Sequence, residues 1–146
     1  MKLVIQRVKK ASVTVEEKVI SHIEKGFLVL IGITGADTKS EADFLAEKLV
    51  KLRIMEDSDK KMNLSVKDVV DASMLLVSQF TLYADTKGGN RPSFIQAARP
   101  EIAEPLYDYF VEKVTSLGVS VGTGKFGAEM KIDAELDGPV TILIEQ

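Results

Sequence analysis

"FLVLIGIT", residues 27–34, is a nearly continuous apolar run that follows Gly26. A strand with one face in water alternates apolar and polar side chains, and this run does not, so it reads as a strand buried on both faces. A second run, "ASMLLVSQFTL" (72–82), has the same character and ends at a polar, glycine-containing loop, "YADTKGGNRPSF" (83–94). Two strands covered on both sides require elements to cover them, and the flanking sequence supplies them.

Upstream, "KLVIQRV" (2–8) and "SVTVEEKVISHI" (12–23) read as strands, with Glu16-Glu17-Lys18 as a hairpin turn. Between the two buried runs the period changes. In "TKSEADFLAEKLVKLRIM" (38–55), Phe44, Leu45, Leu49 and Leu52 fall on one helical face, and Thr38 or Ser40 can cap the start. "PEIAEPLYDYFVEKVTSLG" (100–118) is a second helix, with Gly118 as its stop and Pro105 acceptable only in its first turn. "FGAEMKIDAEL" (126–136) alternates, "DGP" (137–139) turns, and "PVTILIE" (139–145) is a closing strand. The fold class is mixed α/β: layered mixed or antiparallel sheets, or a barrel-like sheet, with two main helices packed outside. No repeat or linker interrupts residues 1–146, and this length fits one domain.

Composition narrows the chemistry. The chain has no cysteine and one histidine, His22, so thiolate chemistry, disulfides and the usual zinc ligand sets are excluded. A net charge of −3 argues against a protein that wraps a long duplex. It leaves room for one end of an RNA, contacted by a few cations such as Lys9, Lys10, Lys60, Lys61, Lys87 and Arg91. The apolar stretch of "MKLVIQRV" is too short for a signal-peptide core or a membrane span, so the expected location is the cytoplasm.

Ser78 and Thr81 are possible nucleophiles, but a hydroxyl needs an adjacent base, and neither a Gly-x-Ser-x-Gly elbow nor a phosphate loop is present. On residue types alone, both read as hydroxyls that satisfy backbone groups at a strand end. Gly138-Pro139 reads as an ordinary tight turn.

"SQFTL" (78–82), "GNRPSF" (89–94) and "GPVT" (138–141), taken in order, resemble the D-aminoacyl-tRNA deacylase family. "IQRV" (5–8), "GFLVLIGI" (26–33), "KLRIMED" (51–57), "KMNLSV" (61–66) and "TGKFGAEM" (123–130) extend the resemblance along essentially the whole chain. The resemblance implies a homodimeric editing hydrolase, with active sites at the subunit interface and no cofactor. It would cleave the ester that joins a D-amino acid, or misattached glycine, to the acceptor end of tRNA. Ser78, Gln79, Phe80 and Thr81 would floor the pocket, with backbone N–H groups around Gln79 and Phe80 facing the ester carbonyl. Phe126 and Met130 would line the adenosine side. Gly138 and Pro139 would form a Gly-cisPro element that reaches into the partner's pocket and excludes L-side chains, and Arg7 would hold that element through its backbone. The ribose 2′-hydroxyl of the substrate would assist the attacking water. One position departs from the pattern, with Leu136 where the family usually has Asn. Two other readings stand beside this one: a non-catalytic dimer that binds a tRNA end or nucleotide, and an esterase with Thr81 as nucleophile.

Overall fold

The computed structural model describes all residues, Met1–Gln146. Its main sheet is built around two parallel neighbours, β3 (Gly26–Gly32) and β6 (Ser73–Ser78). Antiparallel β1 (Lys2–Val15) flanks β3, parallel β7 (Ser120–Thr123) flanks β6, and β2 (Lys18–Ile23) and β8 (Lys131–Glu145) both pair with β1. Helix α1 (Lys39–Lys51) and a small hairpin, β4 (Met55–Glu56) with β5 (Met62–Leu64), lie between β3 and β6 in sequence, and α2 (Pro100–Ser116) precedes β7.

The two apolar runs are buried on both faces, and the two faces serve different cores. Phe27, Val29, Ile31, Met74 and Leu76 join the larger core beneath the helices, while Leu28, Leu75 and Val77 face a smaller one with Val8, Ala11, Val13, Val15 and Ile23. β1 serves both cores because it changes parity. Leu3 and Ile5 point to the helix side, but irregular pairing on either side of Val8 turns Ala11, Val13 and Val15 to the opposite face. The sheet curls so far that β2 approaches β7. A Cβ placed on Gly122 would sit 2.4 Å from Ser21 Oγ, so the glycine lets the strands approach in this nearly closed, barrel-like contact without displacing the Ser21 hydroxyl.

The Glu16-Glu17 turn is as expected, with both residues at positive φ, the twist that joins antiparallel strands tightly. α1 starts at the expected cap: Thr38 Oγ1 accepts from Ser40 N–H, and Glu41 Oε2 accepts from Thr38 N–H. Its buried face is Ala42, Leu45, Ala46, Leu49 and Val50, whereas Phe44 is 48% exposed beneath the Lys48 ammonium. The small alanines, rather than Phe44, let α1 approach its neighbours. The helix also ends at Lys51, because Leu52 is extended and the chain enters β4.

Three further expectations change. Residues 79–82 leave the strand, and Phe80–Tyr83 form a 3-10 turn. Pro105 lies in the second turn of α2, where it removes one helical N–H, but on the solvent side, so the Glu101 carbonyl can turn to water. Asp137-Gly138-Pro139 does not separate two strands. β8 runs through it, and the segment expected to start that strand, Phe126–Met130, is a turn and loop.

The two helices are tied by Asp43, which accepts from Tyr109 Oη at 2.9 Å and pairs with Lys113 Nζ at 3.1 Å. These bonds, Lys113 first and then Tyr109, hold the Asp43 carboxyl below its ordinary range. Hydrogen bonds from Thr38, Asn63 and Ser65 do the same for Glu41, Asp57 and Asp68. A carboxyl whose pKa is lower folded than unfolded stabilises the fold above its unfolded pKa, and that contribution disappears as pH falls through the folded value. The urea midpoint should therefore be flat near neutrality and fall once the pH drops into and below the carboxylate range. Asp43→Asn should make that fall shallower, as followed by circular dichroism.

Candidate active site

A cavity of about 610 Å³ opens beyond the C-terminal ends of β3 and β6, the usual place for a ligand between parallel strands. Two backbone hydrogen bonds, one to the end of β3 and one just past it, define it. Gln79 N–H donates to the Ile31 carbonyl at 2.7 Å, and Ala98 N–H donates to the Ile33 carbonyl at 2.9 Å. The long loop between them is closed on itself by reciprocal 2.8 Å bonds between Asp85 and Ser93. It therefore returns Phe94 to the cavity, where its ring meets Phe80 edge-on at 5.1 Å. The far wall is the loop that carries Phe126 and Met130. Phe126 lies 6.0 Å from the ring of Tyr107, whose buried hydroxyl donates to the Leu76 carbonyl and whose phenol is pushed up in pKa by burial. Met130 packs over Gly124, where a Cβ would approach its Sδ to 2.7 Å.

Of the residues singled out from the sequence, Ser78, Gln79, Phe80, Phe126 and Met130 line this one cavity. Thr81 lies beside it, exposed, and its hydroxyl accepts from Gln79 Nε2 at 2.6 Å. One expectation is corrected. The Gln79 N–H cannot face an ester carbonyl, because Ile31 already occupies it. The Phe80 and Thr81 N–H groups differ, since they open the 3-10 turn and have no partner within it. His22 is distant in role as well as sequence, exposed on β2 in a separate cleft with Lys10 and Glu135.

Gly138 and Pro139 do not line the cavity of their own chain. They sit in a bulge: Gln6 pairs with Thr141 and Val8 with Leu136, so Asp137–Val140 loop out opposite Arg7 alone. The Gly138-Pro139 bond is cis, and Gly138 has φ +123°, where an L-side chain is strained and would also strike Val140. Arg7 is 3% exposed. Its Nε donates to the Asp137 carbonyl at 3.2 Å and lies 3.0 Å from the Asp137 carboxylate, while Nη1 donates to the Ile54 carbonyl and Nη2 to Glu56. Leu136 ends the regular pairing through its backbone, and Arg7 anchors the next residue.

The geometry can be set beside known proteins. A family model described as D-Tyr-tRNA(Tyr) deacylase matches residues 4–145. The chain belongs to the D-aminoacyl-tRNA deacylase family. A D-aminoacyl-tRNA deacylase of Flavobacterium psychrophilum is 53% identical, aligned over 99% of this chain and 97% of that protein. One of Koribacter versatilis is 54% identical over the same shares. Among solved structures, a "c-Myc DNA Unwinding Element Binding Protein" is 41% identical with a TM-score of 0.92, covering 100% of this chain and 99% of its own. A "probable eukaryotic D-amino acid tRNA deacylase" shares the fold, with a TM-score of 0.86 at 19% identity over 99% and 98% of the two chains. As a deacylase the protein is a hydrolase of aminoacyl-tRNA esters, and none of its helices is long and apolar enough to cross a membrane.

For such an ester the cavity offers mainly apolar walls and few polar groups, a common design for recognising an uncharged body with one reactive bond. Sequence reading gave no role to Phe94 and did not single out Ala97–Arg99. Phe94 lies within "GNRPSF", so a signal existed. Nothing in residues 97–99 announces that they fold back beside the end of β3.

Replacing Arg7 by Met should lower stability by about 1–3 kcal/mol, the cost of leaving the Ile54 carbonyl unpaired. Urea unfolding measures this. Gly124→Ala should unfold at nearly the parent midpoint yet lose deacylation, because its Cβ meets Val77 only at 3.5 Å but forces Met130 from its position on the cavity wall.

Proposed function

We propose that the protein is a chiral editing enzyme of the cytoplasm, active as a homodimer, that removes D-amino acids and misattached glycine from tRNA. The observation that carries this reading is the composition of the cavity. It gathers Ser78, Gln79 and the Phe80 end of a 3-10 turn, and no carboxylate or imidazole lines it. A protein base is missing where a serine or threonine hydrolase would need one, and Thr81 has only an amide beside its hydroxyl.

The substrate fills that role. The 2′-hydroxyl of the terminal ribose is adjacent to the 3′-ester and orients the water that attacks the carbonyl carbon. The C–O bond to the 3′-oxygen then breaks, and that oxygen takes a proton, releasing free amino acid and tRNA. The Phe80 and Thr81 N–H groups stabilise the oxyanion that forms in between, a contribution worth about 2.7–4 kcal/mol per donor in comparable sites. Positioning supplies about 7–11 kcal/mol in favourable intramolecular cases, so a reactive side chain is not required.

Handedness is read by main chain. Gly138 and Pro139 of a second copy enter the cavity, and their carbonyls stand beside the substrate's α-carbon, where an L-side chain would collide. A D-side chain points away, and glycine has nothing to exclude. The position of this element supports a contribution in trans: it is exposed, lies outside its own chain's cavity, and sits on β8, which pairs only with β1 and leaves its other edge free. Leu136 and Leu143 are exposed on the same strand. Pairing along such an edge would cover it.

Purified protein should release D-tyrosine from D-Tyr-tRNA and leave L-Tyr-tRNA nearly intact; comparable rates on both would refute the filter. Thr81→Ala should retain substantial activity, whereas tRNA ending in 2′-deoxyadenosine should be a poor substrate. The reverse pair of results would assign the attack to Thr81.

A further inference from the structure

Of the residues lining the cavity, Arg99 alone is charged. It is exposed, and its guanidinium takes part in none of the chain's ion pairs. It also does little for the fold. Arg99 is the residue that precedes α2, and its side chain makes no capping bond there. Ser, Thr, Asp or Asn would stabilise that position, and a cation at a helix N-terminus is opposed by the macrodipole. An unpaired arginine in an unfavourable place, on the wall of the substrate cavity, fits a ligand that carries negative charge.

The frame of the site shows which part of the ligand this is. Gln79 and Ala98 donate to the carbonyls of Ile31, near the end of β3, and Ile33, just past it, two residues and so no more than about 7 Å apart along the chain. The 3-10 turn that begins after Gln79 and the segment that reaches Arg99 after Ala98 are thus stacked along one strand end. An aminoacylated RNA end has its ester on the 3′-oxygen of the last ribose and its nearest negative charge on the phosphate across the same sugar. With the ester at Phe80, a ribose directed along this strand end would bring that phosphate to Arg99, the one cation on the cavity wall. Guanidinium matches phosphate with two parallel N–H bonds, and a phosphate contact fixes register without reading sequence.

We propose that Arg99 binds the phosphodiester on the 5′ side of the terminal adenosine and so sets the depth to which the RNA end enters the cavity. The proposal rests on the deacylase reading. It supplies a local cation for a polyanionic substrate in a protein whose net charge is −3.

The test compares the parent chain, Arg99→Ala and Arg99→Lys on D-tyrosyl-tRNA and on D-tyrosyl-adenosine, which has the ester but no phosphate. At low salt Arg99→Ala should raise KM for the tRNA about two- to fivefold, the range of exposed ion pairs, with the loss in KM rather than kcat. The slope of log(kcat/KM) against log salt should fall in magnitude by about 0.7, one single-strand phosphate. Lysine should recover part of both, and KM for D-tyrosyl-adenosine should change less than KM for the tRNA. Equal changes on the two substrates, or an unaltered salt slope, would overturn the proposal. A second arm needs no turnover: the parent should bind adenosine 5′-monophosphate more tightly than adenosine, and Arg99→Ala should erase the difference. Absence of that preference in the parent would overturn the phosphate contact even where D-tyrosyl-tRNA is hydrolysed. A preference that depends on Arg99, without cleavage of either ester, would uphold the contact and refute the deacylase reading instead.

Discussion

The parallel pairing of β3 with β6 is the constraint on which the molecule depends. Both strands lie between two cores, so their side chains alternate between the helix layer and the interior of the curled sheet. Burial of this kind holds their register firmly, because a slip by one residue would exchange the two cores. Their C-terminal ends are consequently fixed, and the cavity is assembled from whatever the chain does on leaving them. Gln79 attaches to the Ile31 carbonyl near the end of β3 and Ala98 to that of Ile33 just past it, so a rigid strand positions two loops distant in sequence.

A second point of rigidity lies on the opposite side of β1. Arg7 is almost wholly buried and uses all three guanidinium nitrogens, on two backbone carbonyls and two carboxylates. A lysine would supply charge without that planar fork. The result is a bulge in β8 that presents main chain to solvent while the strands on either side stay in register. In the proposed dimer the two rigid features meet: a strand end of one protomer forms the floor, and a buttressed bulge of the other forms the filter. Both are backbone, which would suit the proposed filter, since that filter ignores side-chain identity and responds only to handedness.

Parts of this were legible in the residues. The unbroken apolar runs identify β3 and β6, Thr38 with Glu41 marks the start of α1, and Glu16-Glu17 marks the hairpin. Ordered motifs along the chain indicate the family. Local patterning was misleading where tertiary contacts override it. Phe44 has helical spacing suited to the core, yet alanines at 42 and 46 take the inner face. Gly138-Pro139 has turn composition, yet pairing with β1 carries one strand through it, with Arg7 filling the gap.

The sequence determined the two-sided burial, the helix cap, the absence of cysteine and the scarcity of histidine, because these depend on residue type and on spacing within one element. Residue type alone therefore limits the chemistry open to this chain. Only the tertiary structure decided that Phe94 returns to Phe80, that Arg99 stands at the cavity beside the end of β3, and that the Gln79 N–H is already occupied. The first is set by the Asp85–Ser93 pairing that closes the loop and the other two by the Ile31 and Ile33 carbonyls, contacts between separate segments that no local pattern encodes.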